Sequence, residues 1–185
     1  MQKLYKLTDK NDCTMGGTQW GENVTHAAPG NGPLCSSAWL HAYIDPILAV
    51  LLNPVHADIK SPHIWECEGE VGATDHGLKV GCTSLTTQRR IPLPRVNRIQ
   101  RVSFGILCAM EVRKNDDPSF LAWARAWLSG KDRSASASDA TAAAASAYDA
   151  AYVSAYVSVS ASAAYAARRG GLDLAAIAKQ ARAVK

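Results

Sequence analysis

The composition of the chain changes abruptly near residue 134, and that break limits where a folded core can form. From 134 to 167 nearly every residue is Ala, Ser, Tyr or Val, so the stretch holds little large apolar volume to bury. The near-repeat AYDA, AYVS, AYVS sets Tyr148, Tyr152 and Tyr156 along one side of a helix, and Ala is the strongest helix former. One long Ala-rich helix is predicted here. Arg168 and Arg169 suit its C-terminal end, Gly170-Gly171 breaks it, and Asp173 opens a short last helix through Leu174, Ile177, Ala178, Ala181 and Val184. Residues 131–185 are therefore expected to form a helical hairpin, or an arm for self-association into a homo-oligomer. Those alanines inflate the 48% hydrophobic fraction, and the core-forming sequence lies in residues 1–130. A length of 185 residues agrees with one ordinary domain and an appendage.

Within the front part, Lys3 to Leu7 alternates as a first strand and Asp9 to Asp12 supplies a turn. Pro29-Gly30-Asn31-Gly32-Pro33 must be a loop. Ser36 or Ser37 is expected to cap a helix through Ala38, Trp39, Leu40 and Tyr43. Asp45-Pro46 starts another, apolar all round from Ile47 to Leu52 and stopped by Asn53-Pro54. From His63 to Glu70 the alternation is strict, with Trp65, Cys67 and Gly69 facing one way and Glu66, Glu68 and Glu70 the other. Leu78, Val80 and Cys82 mark a second strand, and the segment from Arg90 to Pro94 reads as extended or as a sheet edge. Asn97 and Gln100 have capping-box spacing before Val102, Ile106, Leu107 and Met110. Asp117-Pro118 opens a helix through Leu121, Ala124 and Leu128 that Ser129-Gly130 closes. The expected fold class is α+β, a small mixed or antiparallel sheet with three or four helices.

Twenty Lys and Arg against sixteen Asp and Glu leave a formal charge of +4, too small to imply nucleic-acid binding by itself. Cys13, Cys35, Cys67, Cys82 and Cys108 are odd in number and lack a CxxC pair, so they read as reduced cytosolic thiols. Residues 1–12 lack the apolar stretch of a secretory signal, and the run from Ile47 to Leu52 is far short of the roughly 20 residues a membrane span needs. The expected setting is the cytoplasm, with no membrane partner. His26, His41, His56, His63 and His76 show no metal-ligand spacing, so neither a metal nor a cofactor is assigned.

Three segments carry candidate chemistry. On the strand face of Glu66, Glu68 and Glu70, three like charges repel, so the face is either solvated or compensated by a cation or a donor-rich ligand. Between Gln88 and Lys114, seven basic residues, Arg89 and Arg90 among them, stand against Glu111 alone. Such a surface suits phosphates, because Arg offers fork-shaped donors, or else it is a plain solvated basic face. It lacks interleaved aromatics and any nucleic-acid motif, which favours a small anion or an acidic protein over DNA or RNA. The loop from His26 to Trp39 would place the backbone N–H groups of Ser36, Ser37 and Ala38 at a helix N-terminus, where an anion can bind. Cys35 would lie near the dipole of that helix, but no His or acid stands at a recognisable partner spacing, so it is not assigned as a nucleophile and no catalytic residue is assigned. Ligand binding is accordingly expected from Trp20, Ser36, Ser37, Trp39, His41, Tyr43, Glu66, Glu68, Arg89 and Arg90.

Gly17-Thr18-Gln19-Trp20, then the run from Leu34 to Tyr43, then Trp65-Glu66-Cys67-Glu68-Gly69 occur in an order that resembles an uncharacterised family of small phage and prophage proteins. The resemblance covers roughly residues 3–112, and members often carry an Ala-rich tail. It implies a viral accessory protein acting inside a bacterium. A fainter likeness is to ADP-ribosyltransferase-like folds, with Ser36-Ser37 and Glu66 or Glu68 at the places of the Ser strand and the catalytic Glu. The first strand departs from that pattern, with Tyr5 and Lys6 where an Arg or His is expected. The leading expectation is a non-enzymatic accessory module that binds a nucleotide-like small molecule, for example sequestering a host defence signal, or a host protein. The alternatives are a nucleotide-acting enzyme using Glu66 or Glu68, and a structural protein assembling through the Ala-rich helix.

Overall fold

The structure is a computed structural model and describes residues 2–113, 118–133 and 171–185. The alternation beginning at His63 produces a long strand that turns back on itself, and the rest of the sheet is laid along this hairpin. The elements of the front part are β1 (Gln2–Thr8), β2 (Cys13–Thr14), β3 (Thr18–Gln19), β4 (Val24–Ala27), β5 (Leu40–Ala42), α1 (Pro46–His56), β6 (His63–Thr74) and β7 (Val80–Ile91). The β6–β7 turn closes with Leu78 N–H donating to the Asp75 carbonyl at 2.7 Å. His76 and Gly77 between them have φ of 47° and 80°, the paired left-handed geometry that follows the natural twist of a hairpin.

All pairings in this sheet are antiparallel. β1 lies on β6 with Leu4 opposite Cys67 and Lys6 opposite Trp65. β4 and β5 follow one another along the far edge of β7, at Ser84–Thr87 and Val80–Cys82 respectively. The chain leaving β5 then returns to the start of the sheet. Tyr43 and Tyr5 exchange both backbone hydrogen bonds at 2.8 Å, so β1 is paired on both edges at that point and the sheet curls around its core. Leu4, Trp20, Ala42, Trp65, Cys67, Val80, Cys82 and Leu85 fill that interior. α1 packs against β1 on the outer side, where Leu7 and Ile64 are opposite each other and buried.

Helix α1 starts where Asp45-Pro46 predicts. The Asp45 carboxylate accepts from Ile47 N–H at 2.8 Å and Leu48 N–H at 3.2 Å, and Ile47 to Leu52 are all buried. Its end lies beyond the expected stop, with Pro54 inside the last turn. Asn53 still sets that end, because its carbonyl accepts from Ala57 and Asp58 while its side chain makes two hydrogen bonds with the Ile59 backbone.

The helix expected from Ser36 through Tyr43 is corrected. Residues 34–39 are bends and turns, and β5 follows. Ser36 Oγ donates to the Pro33 carbonyl at 2.7 Å and accepts from Ala38 N–H at 3.3 Å, a local serine turn that shares its sequence signal with a helix cap. Pairing of Leu40 with Cys82 and of Ala42 with Val80 then decides the outcome, since sheet contacts override a short helical pattern.

Two compact units divide the chain, Met1–Arg95 and Val96–Lys185, whereas the composition break suggests a boundary near 130. The second unit contains α2 (Arg98–Arg113), α3 (Pro118–Leu128) and α4 (Leu174–Ala183). The capping box is present: Asn97 N–H donates to Gln100 Oε1 at 3.0 Å and Gln100 N–H to Asn97 Oδ1 at 2.9 Å. Ile106, Phe120, Ala124 and Trp127 form the α2–α3 cluster. Asp173 caps α4 through Ala176 N–H, and α4 packs against α2 with Leu174, Ile177, Ala178 and Ala181 buried. An antiparallel sheet and four helices thus make the described residues α+β. The predicted Ala-rich helix over 134–167 lies outside the described residues, and no described helix is long and apolar enough to cross a membrane.

Candidate functional site

Glu66 sits between two cations. Lys3 Nζ approaches its Oε1 at 2.5 Å from β1, and Arg89 Nε donates to its Oε2 at 2.6 Å from β7. Hydrogen bonds from Lys3 and then Arg89 hold the carboxyl below the usual carboxylate range despite its burial. The repulsion expected on the acidic face is therefore answered, at Glu66, by neighbouring strands. A register shift in the β6–β7 ladder makes this possible. Cys67 faces Thr87 but Glu66 faces Arg89, so Gln88 is an extra residue in β7. Arg89 donates to Glu66 through Nε, and its side chain stays 67% exposed. Glu68, opposite Lys3 in the register, is half-buried beside them.

Past the bulge, Arg90 lies 5.3 Å over the Trp65 ring and pairs with Asp12. Asp12 is a hub that the sequence reading assigned only to a turn. Its carboxylate accepts from His63 Nδ1 at 2.9 Å, Trp65 Nε1 at 3.0 Å and Thr8 Oγ1 at 3.1 Å as well as from Arg90. Burial pushes this carboxyl upward, but the hydrogen bonds from His63, Trp65 and Thr8 and the charge of Arg90 outweigh it, and the net shift is downward. Asp9 Oδ1 holds the turn by accepting from Asn11 N–H and Cys13 N–H, each at 2.8 Å.

The loop residues gather at the other end of β7. Trp39 lies in a slot made by glycines: a Cβ at Gly72 would meet its ring at 2.6 Å and one at Gly81 at 3.0 Å. Its Nε1 donates to the Gly32 carbonyl at 3.1 Å, which pins the loop to the hairpin. His41 Nε2 contacts the Leu34 carbonyl at 2.5 Å. Burial lowers the His41 pKa, the Leu34 carbonyl works against that, and the charges of Lys79 and Lys6 lower it further. Lys79 Nζ donates to Cys35 Sγ at 3.1 Å. No helix begins at Ser36-Ser37, and the Ala38 N–H expected to meet an anion is turned to Ser36 Oγ.

Trp20 and Tyr43 serve packing. Trp20 is buried in the sheet interior with Nε1 donating to Thr14 Oγ1 at 3.0 Å. Lys6 Nζ lies 4.6 Å over the Trp20 ring and donates to the His41 carbonyl at 2.8 Å. Burial pulls the Lys6 amine down to about 8 and pushes the neighbouring Cys67 and Cys82 thiols up to about 12 and about 11. The Tyr43 hydroxyl meets His56 Nδ1 at 3.1 Å, its ring stacks on that imidazole, and burial raises its pKa.

The ten expected ligand residues thus separate into three places. Glu66, Glu68, Arg89 and Arg90 are on the β6–β7 ladder. Ser36, Ser37, Trp39 and His41 are on the loop and β5, and Trp20 and Tyr43 are in the core. All five cysteines are free thiols, and among the described residues no three His, Cys, Asp or Glu side chains are grouped to hold a metal ion. No protein-family model, no curated protein and no solved structure matches this chain.

Proposed function

We propose that the chain is a binding module of the phage accessory class, whose sheet unit takes up an anionic, nucleotide-like small molecule without turning it over. The observation that carries this reading is the Lys3–Glu66–Arg89 arrangement. Glu66 fixes Arg89 through Nε, leaving a preoriented pair of N–H donors suited to a phosphate, with the 60% exposed Lys3 ammonium beside it. Orientation already fixed before binding reduces the ordering cost of holding a ligand. A carboxylate held ionised by two cations is a poor proton donor, which supports binding over chemistry at Glu66. Sequestration of a host signalling nucleotide in the bacterial cytoplasm is the use that fits such a module.

Thermal unfolding with NAD, cyclic mononucleotides and cyclic dinucleotides, combined with chromatography of the nucleotide afterwards, tests the proposal. The expected result is a raised Tm with at least one of them, the nucleotide recovered intact, and no rise in Arg89→Ala. Consumption of the nucleotide at a rate that drops in Glu66→Gln or Glu68→Gln would replace binding by catalysis.

A further inference from the structure

We propose that Cys35 is a modification site, a thiol that Lys79 makes reactive toward hydroperoxides. Cys35 is exposed, in the loop that Trp39 pins to the hairpin. Lys79 reaches the same sulfur from the protein side: the residue is only 8% exposed and its ammonium donates to Sγ at 3.1 Å. Among the described residues Lys79 forms no ion pair, so this nearly buried cation is aimed at the sulfur and not at a carboxylate. His41 holds the Leu34 carbonyl next to Cys35 and thereby fixes the backbone from which the thiol projects.

The other cysteines show what is distinctive here. Cys67, Cys82 and Cys108 are buried, and burial raises each of their pKa values, which disfavours a reactive thiolate. Cys13 is half-buried and its thiol donates to Gln19 Oε1 at 3.1 Å. At Cys35 the sulfur is itself the acceptor, and its donor is a cation that stabilises negative charge during attack.

The reaction balances with the hydroperoxide as sole co-reactant. Sulfur attacks one peroxide oxygen, the S–O bond forms and the O–O bond breaks. The leaving oxygen takes a proton from the Lys79 ammonium, and Lys79 recovers the proton that Cys35 gives up. Sulfur is oxidised by two electrons to a sulfenic acid and the hydroperoxide is reduced to water or an alcohol.

The test exposes the full chain to hydrogen peroxide, traps sulfenic acid with dimedone, and reads the adduct at each cysteine by peptide mass spectrometry. Cys35 should be trapped roughly tenfold faster than Cys13 in the same molecule, an advantage that disappears in Lys79→Met and survives in Lys79→Arg. Equal trapping at Cys35 and Cys13 in the unaltered protein overturns the proposal without any variant having to fold. So does an advantage that persists in folded Lys79→Met.

Discussion

Asp12 shows how much stability one side chain can organise. Its carboxylate accepts from the ring nitrogens of His63 and Trp65 and from Thr8 while pairing with Arg90, so truncation strands several partly buried donors at once. Asp12→Ala is expected to cost about 3 kcal/mol, measured by urea unfolding. Both Asp12 and Glu66 have folded pKa values below their unfolded ones. Their contribution is present above the ordinary carboxylate range and is lost as pH falls through the folded values. Acid unfolding of Asp12→Asn should therefore show a shallower dependence on pH than the parent. The Lys6 amine is likewise lowered, from 10.5 to about 8, but for a buried cation that shift reports a penalty where for the carboxylates it reports a gain. The unfolded chain binds the extra proton between those values, so the Lys6 penalty is complete below about pH 8 and is relieved as pH rises toward 10.5. The stability difference between Lys6→Met and the parent should shrink over that interval; a difference independent of pH would show that Lys6 is not strained by burial. None of this could be read in the sequence, since His63, Trp65 and Arg90 lie 51, 53 and 78 residues from Asp12.

Elements whose signals are local were legible, and those made by distant pairing were not. The caps of α1, α2 and α4 rest on side chains two or three residues from the N–H groups they meet, and Asp45, Asn97 and Asp173 mark them. Strand β6 was visible from its alternation, but the extra residue in β7 that turns Arg89 toward Glu66 leaves no periodic trace. Strand β5 is three residues long and is defined by β7, while the loop before it carries a serine-turn signal that resembles a cap. The candidate site follows the same division. Glu66 and Arg89 were singled out for their charge, whereas their pairing with each other, and that of Lys79 with Cys35 across 44 residues, required the fold. The slot for Trp39 gives an element-scale prediction. Gly72→Ala places a methyl 2.6 Å from the ring and should destabilise the protein by about 2 kcal/mol in denaturant unfolding. In a Trp39→Leu background the same change should cost clearly less, because the obstructing ring is gone.

At the scale of the molecule, the sheet and all the residues proposed for recognition belong to Met1–Arg95, which forms one of the two compact units. That unit has its own interior cluster, a sheet whose first strand is paired on both edges, and a capped helix. A chain ending at Arg95 is expected to unfold in a single cooperative transition with the β-rich circular dichroism of the sheet. The most direct measurement is calorimetric titration of that fragment and of the full chain with the nucleotide that raises the Tm. Recognition by the sheet unit predicts the same Kd for both and loss of binding in Arg89→Ala. A folded fragment that does not bind, beside a full chain that does, would contradict it.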